Sequence, residues 1–162
     1  MDFKQITLDS LKETGAKMMH SEPVFIESGE ENSPIAVEDF TVIIGIAGQI
    51  SGQLIFGFEE KSNLIIAKEM LGMDVTDMDE LTISAVAEFT NVLGGNVTIK
   101  LVDAGSKKLG MSPPSIVMGK NMRVSTKVKP IYKYKVKFED KGEFTLHLAL
   151  KEKVRRKKTD SE

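Results

Sequence analysis

The apolar residues of this chain recur with two different periods, one typical of helices and the other of strands. A three- to four-residue period runs from Phe3 to Met19, from Glu59 to Leu71 and from Asp77 to about Leu101, and it predicts three helices. Acidic residues open the third segment and suit a helix N-terminus, where backbone amides are unpaired. Gly94 and Gly95 lie inside this segment, so we predict that the helix bends there, or ends and restarts.

The strand period appears between and after these helices. Proline opens and glycine closes two runs of equal length, Pro23–Gly29 and Pro113–Gly119, and each run predicts a short strand. The apolar runs Phe40–Ala47 and Gln53–Phe58 flank a glycine-containing turn and predict a β-hairpin. Residues 30–34 are acidic and polar, and they predict a loop. Three later segments alternate between apolar and polar residues, as antiparallel strands with one wet face do: Met122–Val128, Tyr132–Phe138 and Phe144–Leu150.

The two halves of the chain have the same order of predicted elements, namely a helix, a proline-opened strand and a hairpin. This order predicts a duplicated unit, with pseudo-repeats over about residues 3–75 and 77–150. We therefore predict one α+β domain over residues 1–150, in which helices pack on one face of a mostly antiparallel sheet. Residues 151–162 are charged and almost without apolar side chains, so we expect a disordered tail that solubilises the chain rather than one that binds phosphates.

Composition excludes several classes of function. The 162 residues include no cysteine, which excludes disulfides, thiolate metal sites and thiol nucleophiles. The two histidines, His20 and His147, are far apart in the sequence, so we expect no metal site. A net charge of −2 gives no field that favours nucleic acid or an anionic membrane. The N-terminus is acidic and no apolar run approaches the ~18 residues of a membrane span, so we expect a soluble cytoplasmic protein.

The longest predicted helix has two different faces. At about 100° per residue, an apolar stripe about 120° wide faces the predicted sheet, and it consists of Ile83, Val86, Phe89, Leu93 and Val97. A line of four residues within about 60° of arc lies on the opposite side, namely Ser84, Glu88, Asn91 and Gly95. Glu88 and Asn91 are neighbours one turn apart, and Val92 and Val102 lean toward the same side. Periodicity alone favours an ordinary solvated face.

A sequence motif changes this interpretation. Residues Ser84–Asn91 fit the pattern (D/S)-x3-E-x2-N, and Pro114 follows the asparagine by 23 positions. The surrounding segments AEFTNVLGGNV and SPPSIVMGKN fit as well. In these residues the chain resembles the CheC/CheX/FliY family, phosphatases that act on the phosphorylated chemotaxis response regulator CheY. In the first half Asp9 and Glu13 match the motif but Ala16 replaces the asparagine, so the chain resembles the CheX-like members, which have one complete motif.

The resemblance implies a function and a role for each motif residue. The chain would hydrolyse the aspartyl phosphate of a CheY-type receiver domain, with Asn91 orienting the attacking water and Glu88 docking against the receiver's active-site lysine. Ser84, Val92 and Gly95 would border the contact. The chain would need no cofactor of its own, because the receiver supplies the Mg²⁺. The resemblance also implies a homodimer that forms through the sheets.

Two other functions fit the same residues. A binding module of this fold would capture the phosphorylated regulator without hydrolysing it, although the intact Asn91 favours catalysis. A structural dimer would carry the polar face without using it. That function predicts that a Glu88→Lys change leaves the lifetime of the phosphorylated regulator unaltered.

Overall fold

A computed structural model describes residues 1–153, in which three helices lie on one face of an antiparallel sheet. The helices are α1 (Phe3–Thr14), α2 (Glu60–Leu71) and α3 (Glu80–Asp103), and a π-helical segment, Gly15–Met19, continues α1. The strands are β1 (Val24–Glu31), β2 (Ile35–Ala36), β3 (Phe40–Gly48), β4 (Ile50–Phe58), β5 (Leu109–Met111), β6 (Ser115–Met118), β7 (Arg123–Val124), β8 (Ile131–Lys137) and β9 (Glu143–Glu152). The predicted α+β class is confirmed.

Strands from the two halves of the chain alternate in the large sheet. Its order is β1-β8-β9-β4-β3, and both β5 and β6 pair with the remaining edge of β3. All of these pairs are antiparallel. The proline-opened strand of each half, β1 or β6, pairs with the hairpin of the other half, and the two hairpins meet through β4 and β9. The halves therefore form one continuous sheet instead of two separate units.

Alternate residues of the strands form an apolar sheet face that packs against the helices. Phe89 of α3 lies at the centre of this core, with its ring centroid 5.7 Å from that of Phe144 and 6.0 Å from that of Phe138, edge to face in both cases. The opposite face of the sheet carries a smaller apolar cluster: Ile35, Ile55, Ile131 and Ala149. The aromatic contacts hold the middle of α3 against the sheet and so orient its other face.

Several strands of the structure differ from the predicted ones. β1 continues through Glu30 and Glu31 of the predicted loop, because backbone pairing with β8 does not depend on side-chain polarity. The predicted strand Met122–Val128 is reduced to β7, since Val124 and Val128 pack on the smaller apolar cluster instead of extending the sheet. β5 was not predicted, because three residues are too few for a period to be recognised.

The C-terminal strand runs past the predicted start of the tail. Lys151 and Glu152 still belong to β9, because they pair with Ser51 and Ile50 of β4. The disorder predicted for residues 154–162 falls outside the described residues.

A buried histidine joins three strands on the sheet face opposite the helices. His147 of β9 is 2% exposed, and its Nδ1 lies 2.7 Å from a carboxylate oxygen of Glu31 on β1. Lys133 of β8 also approaches Glu31, at 3.7 Å. Burial lowers the pKa of His147 and outweighs the opposite effect of Glu31, so the imidazole is neutral in the folded protein at pH 7.

We expect the free energy of unfolding to fall as the pH drops below about 6.5, the ordinary pKa of histidine. His147 has a lower pKa in the folded protein than in the unfolded chain, so the unfolded chain binds the proton first and is stabilised relative to the folded state. Urea denaturation at several pH values measures this slope. A His147→Gln variant keeps a donor for Glu31 but does not titrate, and its slope should be shallower. Equal slopes for the two proteins would contradict the prediction.

Candidate functional site

The helix that carries the sequence motif has a firmly capped start. Asp79 precedes α3, and its Oδ1 accepts hydrogen bonds from the Thr82 backbone amide and hydroxyl, both at 2.9 Å. These bonds lower the pKa of Asp79. The helix begins at Glu80, three residues after the predicted start at Asp77, with Asp79 as the residue that caps it.

α3 continues through Gly94 and Gly95, so the predicted end and restart of the helix is wrong, while the alternative of a bend stays a prediction. Gly94 faces the sheet, where an added Cβ would lie 3.1 Å from Ile44 Cδ1 and 3.3 Å from Met111 Sδ. The glycine thus lets the helix approach β3 and β5 closely. Gly95 faces the other way, and an added Cβ there would meet nothing within 4 Å. Packing against the sheet holds the helix continuous despite its glycines.

The sheet-facing stripe of α3 is as predicted. Val86, Phe89, Leu93 and Val97 are buried, and Ile83 is half-buried against the same core. On the opposite side Ser84 and Glu88 are exposed, whereas Asn91, Val92 and Gly95 are half-buried. All five predicted site residues therefore lie together on the outer side of one helix. This placement follows from rigid helical spacing, since the stripe fixes the rotation of α3 about its axis.

The two motif side chains have no partners in the described part of the chain. Within residues 1–153, neither the carboxylate of Glu88 nor the carboxamide of Asn91 forms a hydrogen bond or an ion pair. Their three-residue spacing places the two side chains side by side on the helix surface. A carboxylate and a carboxamide without partners can both bind groups on a second protein.

Exposed apolar side chains flank Glu88 and Asn91 along α3, and only one of them, Val102, was identified from the sequence. Leu81 is 52% exposed, Ile99 is 60% exposed and Val102 is 40% exposed. Helical spacing projects all three within about 60° of the line through Glu88 and Asn91. At a rise of about 1.5 Å per residue, Leu81 lies about 10 Å before Glu88, and Ile99 and Val102 lie about 12 Å and about 16 Å beyond Asn91. The three therefore flank the pair at the two ends of the helix, where they can add apolar contact with a second protein. The helical projection that placed Val102 on this side would also have found Leu81 and Ile99.

The incomplete motif of the first half is used for packing. Glu13 of α1 forms an ion pair with Lys100 of α3 at 2.8 Å, and this contact lowers the pKa of Glu13 and raises that of Lys100. One turn earlier on α3, Asn96 Nδ2 donates to Thr14 Oγ1 at 2.9 Å. Ala16, at the position of the missing asparagine, is exposed. Glu13 therefore ties α1 to α3, and Glu88 is the motif glutamate left without an ionic partner.

The described residues contain neither a candidate metal site nor a candidate membrane-spanning helix. Among residues 1–153, no group of three or more histidine, cysteine, aspartate or glutamate side chains is arranged to hold a metal ion. No helix in the same part of the chain is long and apolar enough to cross a membrane.

Comparison with known proteins gives matches over most of the chain. The family model described as "Chemotaxis phosphatase CheX" matches residues 40–139. The CheY-P phosphatase CheX of Thermotoga maritima is 29% identical over 148 residues, which cover 89% of this chain and 92% of the relative.

Solved structures have the same fold. A CheC-like superfamily protein from Shewanella sp. PV-4 superposes with a TM-score of 0.79 at 27% identity, over 93% of this chain and 98% of the other. CheX in the CheX–CheY–BeF3–Mg complex from Borrelia burgdorferi superposes with a TM-score of 0.73 at 25% identity, over 93% of this chain and 99% of the other.

Proposed function

Since the chain belongs to the CheX family of chemotaxis phosphatases, we propose that it hydrolyses the aspartyl phosphate of a phosphorylated CheY-type receiver domain. The relative from Thermotoga maritima is a CheY-P phosphatase, and the structure from Borrelia burgdorferi is a complex of CheX with CheY. The observation that carries the proposal is the pair Glu88 and Asn91 on the outer side of α3, whose side chains have no partner among residues 1–153. We place the reaction in the cytoplasm, where receiver domains are phosphorylated.

Asn91 orients the water that attacks phosphorus. Its carboxamide oxygen accepts a hydrogen bond from the water and brings no negative charge near the phosphoryl group. The transition state of phosphoryl transfer is loose, so positioning of the water matters more than removal of its proton. The half-buried position of Asn91 supports this role, because it restricts the side chain while leaving it accessible.

Glu88 docks the receiver. Its exposed carboxylate pairs with the active-site lysine of the receiver, and such charge-assisted hydrogen bonds are the stronger kind. This pair sets the register that brings the phosphoryl group to Asn91, one turn away on the same helix. The receiver also brings the Mg²⁺ that neutralises the phosphoryl oxygens, so Asn91 and Glu88 need only position the reacting groups.

The rest of the outer face completes the contact. Ser84, Val92 and Gly95 border the two motif residues, and Leu81, Ile99 and Val102 add apolar area around them. Burial of this area against the receiver supplies affinity that the polar pair cannot supply alone. We expect a single complete site, because Ala16 replaces the asparagine of the first motif and the glutamate of that motif, Glu13, is paired with Lys100.

The decisive experiment follows the decay of the receiver's acyl phosphate with Mg²⁺ present and with this protein added. We expect faster release of inorganic phosphate with the cognate receiver than with the receiver alone. Binding of the phosphorylated receiver without faster decay would instead show a capturing module. No effect on any phosphorylated receiver of the source genome, and no binding, would refute the proposal.

Gly95 provides a separate prediction about the docking face. Alanine there should raise the free energy of unfolding by about 0.5–1 kcal/mol, because the added methyl meets nothing within 4 Å and alanine favours the helix. The same variant should raise the receiver concentration needed for half-maximal hydrolysis, since the methyl enters the contact. Gly94→Ala is the control, because its methyl points at Ile44 and should leave receiver binding unchanged. Denaturation curves and phosphate release measure both effects.

The homodimer is also part of this proposal. Edge strand β6 supports it, since its exposed residues Ile116, Val117 and Met118 are apolar, whereas edges that remain free are usually guarded by charge. Light scattering should give twice the chain mass, and Val117→Lys should reduce it toward the monomer. A monomer at micromolar concentration would contradict this part alone.

A further inference from the structure

A cavity of about 510 Å³ lies away from the motif residues, at the start of α2. Three other elements also line the cavity. They contribute Phe40 at the start of β3, Met118 at the end of β6 and Met78 in the segment before α3. Its size is in the range of cavities that hold small molecules or the side chains of a partner. Neither Glu88 nor Asn91 lines it, so it is a different place from the proposed phosphatase site.

Asn63 is the unusual residue of this cavity. It lies on α2, is fully buried and lines the wall, yet neither its Oδ1 nor its Nδ2 has a hydrogen-bond partner within residues 1–153. Leaving a buried amide unpaired costs free energy, so such a side chain calls for a partner from outside the chain. Both amide atoms are closed to solvent in the free protein, so a ligand reaches them only when neighbouring side chains of the wall move aside, and the amide then supplies one acceptor and one donor group.

The wall of the cavity is strongly acidic. Four carboxylates line it, those of Glu38, Asp39, Glu59 and Glu60, and no basic residue among residues 1–153 does. Within residues 1–153 none of the four forms an ion pair. The four do not converge as metal ligands, because no acidic group of that part of the chain is arranged to hold a metal ion. The wall therefore favours a cationic ligand that does not need the closely grouped oxygens of a metal site.

We propose that this cavity binds a guanidinium group carried on an alkyl chain. The guanidinium has five donors in a plane, which suits a wall with several carboxylates and the Oδ1 of Asn63, whereas an ammonium has only three donors. The alkyl chain lies against Met78 and Met118, whose flexible thioethers adapt to its shape. The guanidinium belongs either to an arginine side chain of a protein segment or to a free small molecule.

NMR of full-length protein labelled with carbon-13 in its methionine methyl groups and uniformly with nitrogen-15 tests the proposal. The probe is N-acetylarginine N-methylamide, and the control probe is the citrulline analogue, which has the same shape without the charge. The arginine probe should shift the methyl signals of Met78 and Met118 and the side-chain amide signal of Asn63, but not Met73, which is exposed elsewhere. Butylguanidinium, which lacks peptide groups, separates the two sources. Weaker binding of butylguanidinium assigns the site to a protein segment, and equal binding assigns it to a free molecule.

Variants distinguish a binding site from an incidental hollow. Asn63→Leu removes the unpaired amide, so it should abolish the shifts while raising the unfolding midpoint in urea. The double change Glu59→Gln and Glu60→Gln alters exposed residues that should not affect folding, and it should weaken the arginine probe at least about tenfold. Glu22→Gln, a remote exposed carboxylate, should leave the affinity unchanged. Equal shifts with the citrulline probe, or no shift at millimolar arginine probe, would overturn the proposal. Neither result bears on hydrolysis at Asn91.

Discussion

Alanine at Asn91 is expected to lower the rate of receiver dephosphorylation about a hundredfold, which corresponds to about 2.7 kcal/mol of transition-state stabilisation. The variant loses the only group proposed to aim the water, while the docking carboxylate of Glu88 stays in place. Binding of the phosphorylated receiver should therefore remain close to that of the parent protein. Phosphate release under single-turnover conditions measures the rate, and titration with a stable phosphoryl analogue on the receiver measures the affinity.

Asn96 offers a matched control for this experiment. It is a second asparagine on α3, but its carboxamide faces α1 and donates to Thr14. Asn96→Ala should cost about 1 kcal/mol of stability and leave the dephosphorylation rate unchanged. Asn91→Asp is informative as well, because it keeps the shape and adds a charge that repels the phosphoryl group. Full activity in Asn91→Ala, or a loss of binding as large as the loss of rate, would contradict the assigned role.

Charge reversal at Glu88 is expected to act on docking and not on chemistry. Glu88→Lys places two cations opposite each other, so the receiver concentration for half-maximal rate should rise about 10- to 100-fold. The rate at saturating receiver should change little, because an interaction made equally in the bound and transition states affects only binding. Added salt should reduce the difference between variant and parent, since it screens the repulsion between exposed charges.

Glu22→Lys is the control for this second variant. It changes the net charge of the protein by the same amount at an exposed position outside α3. It should leave the half-maximal concentration close to that of the parent. If Glu88→Lys instead lowers the saturating rate with no change in binding, Glu88 acts in the chemical step. If Glu88→Lys has no effect at all, the face is not the docking surface and the structural-dimer alternative gains support.

The helices and the outer face of α3 are the features that local pattern predicted well. Phe89 and its apolar neighbours recur at helical spacing, and a single buried stripe determines where every other side chain on the helix points. For this reason the outward positions of Glu88 and Asn91 follow from the sequence alone. Their roles rested on the motif, since periodicity does not distinguish a functional polar face from a solvated one.

Other features depend on residues that are distant in sequence. The pairing of Glu13 with Lys100 joins two helices, and nothing near either residue indicates it. Gly94 was predicted to disturb the helix, yet its contact with Ile44 shows that it serves close packing on β3. Four separate segments of the chain line the cavity at Asn63, so no local sequence pattern predicts it.

The sequence by itself determined the three helices, the two hairpins and the side of α3 that carries Glu88 and Asn91. Each of these features depends on the spacing of apolar residues within one short segment of the chain. Only the tertiary structure decided that β1 and β6 each pair with the hairpin of the other half. It also decided that the motif glutamate of α1 is paired, while that of α3 has no ionic partner in the described part of the chain. Strand pairing and ion pairs are contacts between distant segments, and their geometry exists only once the chain has folded.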